Sequence, residues 1–213
     1  MTSLIEIHYL PGIAWFSLAL KGESILLEKH EHFVKQSYRS RCYINTEHGR
    51  DCLSIPLKGR HGKVAISDIR VDHSQKWLNH HWRSIQSAYG KAPFFEHYAD
   101  DLRVILGRGH EFLYDLNYEL LTLCLQWLRA NVRVEETTAY NKSYSNDVWD
   151  FRGRLSDKEK PATEDLFRPV PYIQVFGNSF VEDLSIIDLV FCCGPEAGRI
   201  VRALSRENEQ IRN

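Results

Sequence analysis

Within residues 1–28 the chain has room for a strand, a helix and a second strand, and little else. Residues 4–10 (L-I-E-I-H-Y-L) start by alternating apolar with polar and carry β-branched side chains, the pattern of a strand. Pro11-Gly12 breaks it. Residues 13–21 (I-A-W-F-S-L-A-L-K) have helical composition, Gly22 suits the C-terminal cap, and residues 24–27 return to a short apolar strand. Two strands joined through a helix default to parallel pairing with a right-handed crossover. The expected class is therefore α/β, and the Y-L-P-G turn falls where an open α/β sheet places a ligand or where a helix simply starts.

The pattern then changes. Residues 40–45 and 52–57 read as strands joined by T-E-H-G-R, in which Gly49 can supply the positive φ of an antiparallel hairpin loop. A Gly-rich basic loop at 58–63 leads to V-A-I-S-D-I-R-V-D, whose period of two predicts a strand over 64–71. Ser74 is the expected N-cap of a helix over 75–89, Pro93 starts another, and 112–129 carries the widest apolar helical face in the chain. R-V-E-E-T-T-A-Y and Y-I-Q-V-F-G read as strands, and one or two helices close the sequence. Residues 141–171, polar and without period, read as a flap or insertion within one domain spanning 1–213. The fold expected is thus a βαβ unit, a hairpin insertion, a helix-rich half returning to strands, and C-terminal helices, with α+β character.

Charge divides the chain. Residues 28–91 hold twelve Lys or Arg against six Asp or Glu and seven of the ten histidines, although the whole sums to −1. Such polarity points to an anionic small molecule as partner, while the near-neutral total and the lack of a recognised motif argue against nucleic acid. The longest apolar runs are interrupted and too short to span a bilayer, and the N-terminus lacks a signal-peptide pattern, so a cytoplasmic protein without membrane insertion is expected. Five cysteines without C-x-x-C signal neither a disulfide framework nor a zinc site.

Three constellations offer chemistry. If residues 35–41 are extended, Lys35, Arg39 and Arg41 share one face beside Tyr38, and two guanidiniums with an ammonium can converge on a carboxylate, phosphate or sulfate. Their alternative is an exposed basic strand. The helix N-H-H-W-R-S-I-Q-S-A-Y puts His81 on one face with Ser84, Ile85 and Ala88 and Arg83 on the adjacent face with His80 and Ser87, with His81 the candidate general base or a packed histidine. In E-K-H-E-H, His30, Glu31 and His32 are a residue set that can ligate zinc or iron, as in a metal-dependent hydrolase, or can simply form a solvated edge strand; they match no spaced metal motif, so no metal is assigned. Which cofactor, if any, the protein takes is unknown from the residues.

Together these segments resemble the WbqC-like family. Y-L-P-G-I-A-W-F, E-K-H-E-H-F-V-K-Q-S-Y-R-S-R, L-S-I-P, I-S-D-I-R-V-D, W-L-N-H-H-W-R-S-I-Q-S-A-Y-G-K-A-P-F-F, D-L-N, P-Y-I-Q-V-F and F-V-E-D-L-S-I-I-D-L-V-F-C-C-G occur in the family's order. Many members carry Q-P where this chain has Y-L-P. By position Lys35, Tyr38, Arg41, His81, Arg83, Tyr89, Pro93, Asn117, Gln174, Ser185 and Asp188 match motif residues. The resemblance implies a bacterial enzyme near surface-polysaccharide or O-antigen synthesis, labelled as an acyl or aminoacyl transferase. Its donor would be a nucleotide-sugar or a phosphopantetheine-bearing molecule. Expected anion- or substrate-binding residues are Lys35, Tyr38, Arg39, Arg41, Arg83, Tyr89, Asn117 and Gln174, with His81 catalytic. The rival is a non-catalytic binding protein for a phosphorylated glycan precursor.

Overall fold

The computed structural model describes residues 1–59, 62–156, 169–177 and 179–210, without side chains for 206–210. The predicted βαβ unit is present: β1 (Thr2–Glu6), α1 (Ile13–Ala19) and β2 (Ser24–Glu28), with β1 and β2 parallel. Every residue of α1 is buried. The Trp15 indole donates to the Glu6 carbonyl at 2.8 Å, so the helix's largest side chain is tied to the strand end that precedes it.

A hairpin follows, β3 (Arg41–Thr46) against β4 (Gly49–Ser54), antiparallel, with Gly49 at φ 93° as its loop requires. Then come α2 (Trp77–Tyr89), α3 (Phe95–Leu106) and α4 (Leu113–Trp127), β5 (Arg133–Glu136), β6 (Val148–Asp150), α5 (Ile186–Cys193) and α6 (Ala197–Gln210). All four sheet strands are parallel, in the order β5-β2-β1-β6. The chain first builds outward from β1 through β2 to β5, then returns to the other side of β1 with β6. That reversal makes the carboxyl ends of β1 and β6 a topological switch point, the usual ligand crevice of an open α/β sheet.

Several expected elements differ. Residues 64–71 form no strand but a 3₁₀ turn (Ile66–Asp68) with isolated bridges. The buried side chains there are Ile66, Ile69 and Val71, spaced three and then two, so the period-two reading fails. Residues 35–40 are turns, with Gln36 at φ 55°, rather than an extended cationic strand. Residues 171–176 form no strand pairing among the described residues; the Phe176 carbonyl accepts from the Asn45 side chain and the Gln174 side chain bonds the Val181 backbone instead. Ser74 does not cap α2; its hydroxyl and amide both bond Asp72, and Lys76 holds the cap position. Within 141–171, residues Val148–Asp150 are sheet strand β6, a three-residue Val-Trp-Asp stretch too short to reveal a period; 157–168 lie outside the described residues.

Candidate functional site

Two polar features meet near the hairpin. The first is an open cleft of about 680 Å³ between the β3–β4 loop, α2 and residues 175–176. α2 contributes Arg83, Ser84 and Ser87, followed by Lys91 just beyond its end; Arg83, Ser87 and Lys91 recur every fourth residue and so form one stripe. The hairpin contributes Thr46, Glu47, His48, Arg50 and Asp51. Arg83 and Lys91 are exposed and make no ion pair or hydrogen bond among the described residues. Arg50 is braced: its guanidinium lies 3.5 Å over the Tyr43 ring and reaches the Tyr38 hydroxyl at 3.2 Å and Asp183 at 3.5 Å.

Below the cleft a buried network anchors its wall. Asp188, in the first turn of α5, accepts from Tyr172 at 2.6 Å, from Tyr89 at 2.9 Å and from Gln174 at 3.2 Å. Burial pushes its carboxyl up; the three donors pull the other way. Gln174 also bonds both backbone polar groups of Val181, and Asn45 donates to the Phe176 carbonyl. These bonds hold residues 172–176 and Val181 against β3 and α5, where no strand pairing does so among the described residues.

The second feature lies at the carboxyl ends of β1, β2 and β6. Glu6 and Glu28 are register partners and both fully buried. Arg152, following β6, reaches Glu28 at 2.9 Å and Asp150 at 2.7 Å, and the Gly153 amide donates to Glu6. Arg39 forms a two-pronged pair with Glu31 at 2.6 and 2.7 Å and lies 3.6 Å from Glu6. Burial raises the Glu31 carboxyl more than Arg39 lowers it; at Glu6 burial is outweighed by His8 and Arg39, and the carboxyl sits below its ordinary value. His8 is 2 % exposed, stacked on Tyr38 with ring centres 5.3 Å apart, and burial lowers its basicity.

The structure separates the residues that sequence reasoning grouped. Lys35 is exposed in a turn, Arg39 turns inward to the carboxylates, Tyr38 is buried on His8, and Arg41 opens β3. The cationic face of 35–41 does not form, because its central guanidinium is neutralised internally. Arg83 faces the cleft, while Tyr89 and Gln174 belong to the Asp188 network. Asn117 donates to the Arg39 carbonyl at 2.8 Å, supporting that turn from α4. His81 is 1 % exposed; Nε2 faces the Ser54 carbonyl at 3.2 Å and Nδ1 faces the Tyr9 hydroxyl at 2.9 Å. A carbonyl only accepts, so Nε2 carries the proton and Nδ1 accepts from Tyr9. Burial lowers its pKa to about 4. That is the geometry of a packed, positioning histidine rather than of a general base.

His30 bonds the Thr137 carbonyl and Glu31 bonds Arg39, and no three His, Cys, Asp or Glu side chains group as metal ligands among the described residues. Arg60 and His61 of the basic loop lie outside the described residues. Sequence reasoning missed Glu6, His8, Arg50, Lys91, Arg152 and Asp183. The available signal was Glu6 itself, a charge inside a buried strand, beside a turn already marked as a ligand position.

An α/β protein with a parallel sheet, a buried charge cluster at its switch point and a neighbouring basic cleft is thus defined. The chain belongs to the WbqC-like protein family, whose model matches residues 7–159. It is 28 % identical over 142 residues to the Mycobacterium tuberculosis protein described as "Uncharacterized protein Rv1507c", covering 65 % of this chain and 60 % of that one. The chain therefore spans less than two thirds of this relative's length. No solved structure matches it significantly.

Proposed function

We propose that this protein binds a phosphate-bearing small molecule, of the nucleotide-sugar class, in the cleft between α2 and the β3–β4 hairpin. In this reading it acts as a transferase, moving an acyl or aminoacyl group onto a sugar or sugar nucleotide for bacterial surface-polysaccharide or O-antigen synthesis. The observation that carries the binding is the stripe of Arg83, Ser87 and Lys91, two cations without an ion pair among the described residues and a hydroxyl between them. An unpaired guanidinium and ammonium on one wall suit a diphosphate, and Thr46, Ser84 and Ser87 add neutral donors. The transferase step rests on the family resemblance. Five free cysteines fit a reducing cytoplasmic setting.

The alternative, a protein that holds a phosphorylated glycan precursor without turning it over, is favoured by one observation: both ring nitrogens of His81 are engaged. A thermal-shift screen with UDP and UDP-sugars tests the binding, since a ligand of the native state must stabilise it. UDP-sugars should raise Tm, and Arg83→Ala or Lys91→Ala should weaken binding by about one to two orders of magnitude, the worth of a charge-assisted hydrogen bond. Unchanged affinity in both variants would remove the cleft from the reading. Mass spectrometry of acyl donors mixed with UDP-sugars separates transferase from binder.

A further inference from the structure

His8 and the cleft are separated by three residues. Tyr38 lies over the His8 ring, its hydroxyl donates to Asp183 at 2.5 Å, and Arg50 on the cleft wall reaches both. The outer members are accessible, with side-chain exposures of 26 % for Arg50 and 39 % for Asp183, whereas Tyr38 is 9 % and His8 2 % exposed. One observation marks this arrangement as more than packing. His8 Nε2 is buried without a hydrogen bond in the described residues, 3.4 Å from Glu6 but out of alignment with it. A buried imidazole nitrogen left unbonded is costly and calls for a partner. Asp183 holds φ 53°, in the left-handed region that Asp enters more readily than most side-chain-bearing residues and that glycine accepts freely.

We propose that His8 and Glu6 form a closed subsite for a hydroxyl or amine of the ligand, and that Tyr38, Asp183 and Arg50 are the latch over it. The proposal rests on the cleft reading above. A diphosphate entering the cleft competes with Asp183 for the Arg50 guanidinium, because a charge-dense dianion with several acceptor oxygens offers it stronger paired bonds than one carboxylate oxygen at 3.5 Å. Asp183 then loses its Arg50 contact and its loop moves, Tyr38 follows its acceptor, and the ring swings off His8. Nε2 and the Glu6 carboxylate face the opening, where they present a donor–acceptor pair to a sugar hydroxyl or amino group. The latch sits at the carboxyl end of β1, so the nucleotide end of the ligand would lie on the cleft and its sugar end at the switch point.

Diethyl pyrocarbonate labelling of histidines, mapped by peptide mass spectrometry on the full chain, tests this with UDP-glucose as the probe. Exposed His80 and His97 serve as internal references. His8 should label slowly in the free protein and roughly tenfold faster with UDP-glucose at a concentration that raises Tm. If Tm rises while His8 stays protected, the latch is wrong and the cleft reading survives. If Tm does not rise, the cleft reading fails and Asp183→Gly decides the latch alone. That variant removes the Tyr38 acceptor while suiting the φ of 53°, so it should fold and expose His8 without any ligand; a protected His8 in it overturns the proposal.

Discussion

His81 shows how much one side chain's partners decide. In the sequence it shares a helix face with Trp77, Ile85 and Ala88, which leaves a general base and a packed ring both open; in the fold the ring is buried between Tyr9 and Ser54, and burial holds its pKa at about 4. The unfolded chain takes up this proton near pH 6.5 and the folded one only near 4. Stability is therefore full above about pH 6.5 and lost as pH falls toward 4, by about 3 kcal/mol for this group. His8, whose basicity burial also lowers, adds to the same slope. Urea denaturation at a series of pH values should show this fall, and His81→Gln, less stable at neutral pH, should flatten it. An unchanged slope in the variant would mean that the ring titrates normally.

At the scale of elements, close backbone approaches set the packing of the C-terminal helices. Gly198, in the first turn of α6, faces the Leu128 carbonyl at the end of α4, and a Cβ there would lie 2.1 Å from that oxygen. Alanine normally favours a helix over glycine by about 1 kcal/mol. Here the clash is with backbone, so α6 would have to shift off α4 and α1, and overpacking of this kind costs about 1–3 kcal/mol. Gly198→Ala should thus lower Tm in a melting experiment, where helix propensity alone would raise it. The turn over 35–40 follows the same logic. Its backbone is set by nearby Glu31 together with contacts from far away in sequence, Glu6 on Arg39 and Asn117 on the Arg39 carbonyl.

For the molecule as a whole, a net charge of −1 hides a basic cleft beside a buried cluster in which Arg39 and Arg152 each bridge two carboxylates. Only the exposed part is screened by salt. UDP-sugar affinity should fall several-fold as ionic strength rises from about 0.05 to 0.5 M, read by calorimetry, because the screening length shrinks to a few Å. A salt-independent affinity would place the ligand away from Arg83 and Lys91. The sequence by itself determined the βαβ start, the hairpin and the main helices, because residues 2–28 and 113–127 carry local periods that hold in any context. It also marked the basic stretch. Tertiary structure alone decided which of those charges are paired internally and which stay open to a cleft: Arg39 and Arg83 are the same residue type in one segment, but Arg39 meets two carboxylates and Arg83 lines a cleft. It alone recruited Val148–Asp150 as β6, three residues too short to show a period, and so created the switch point where His8 and Glu6 sit. Burial and pairing depend on residues distant in the chain, and no local pattern encodes them.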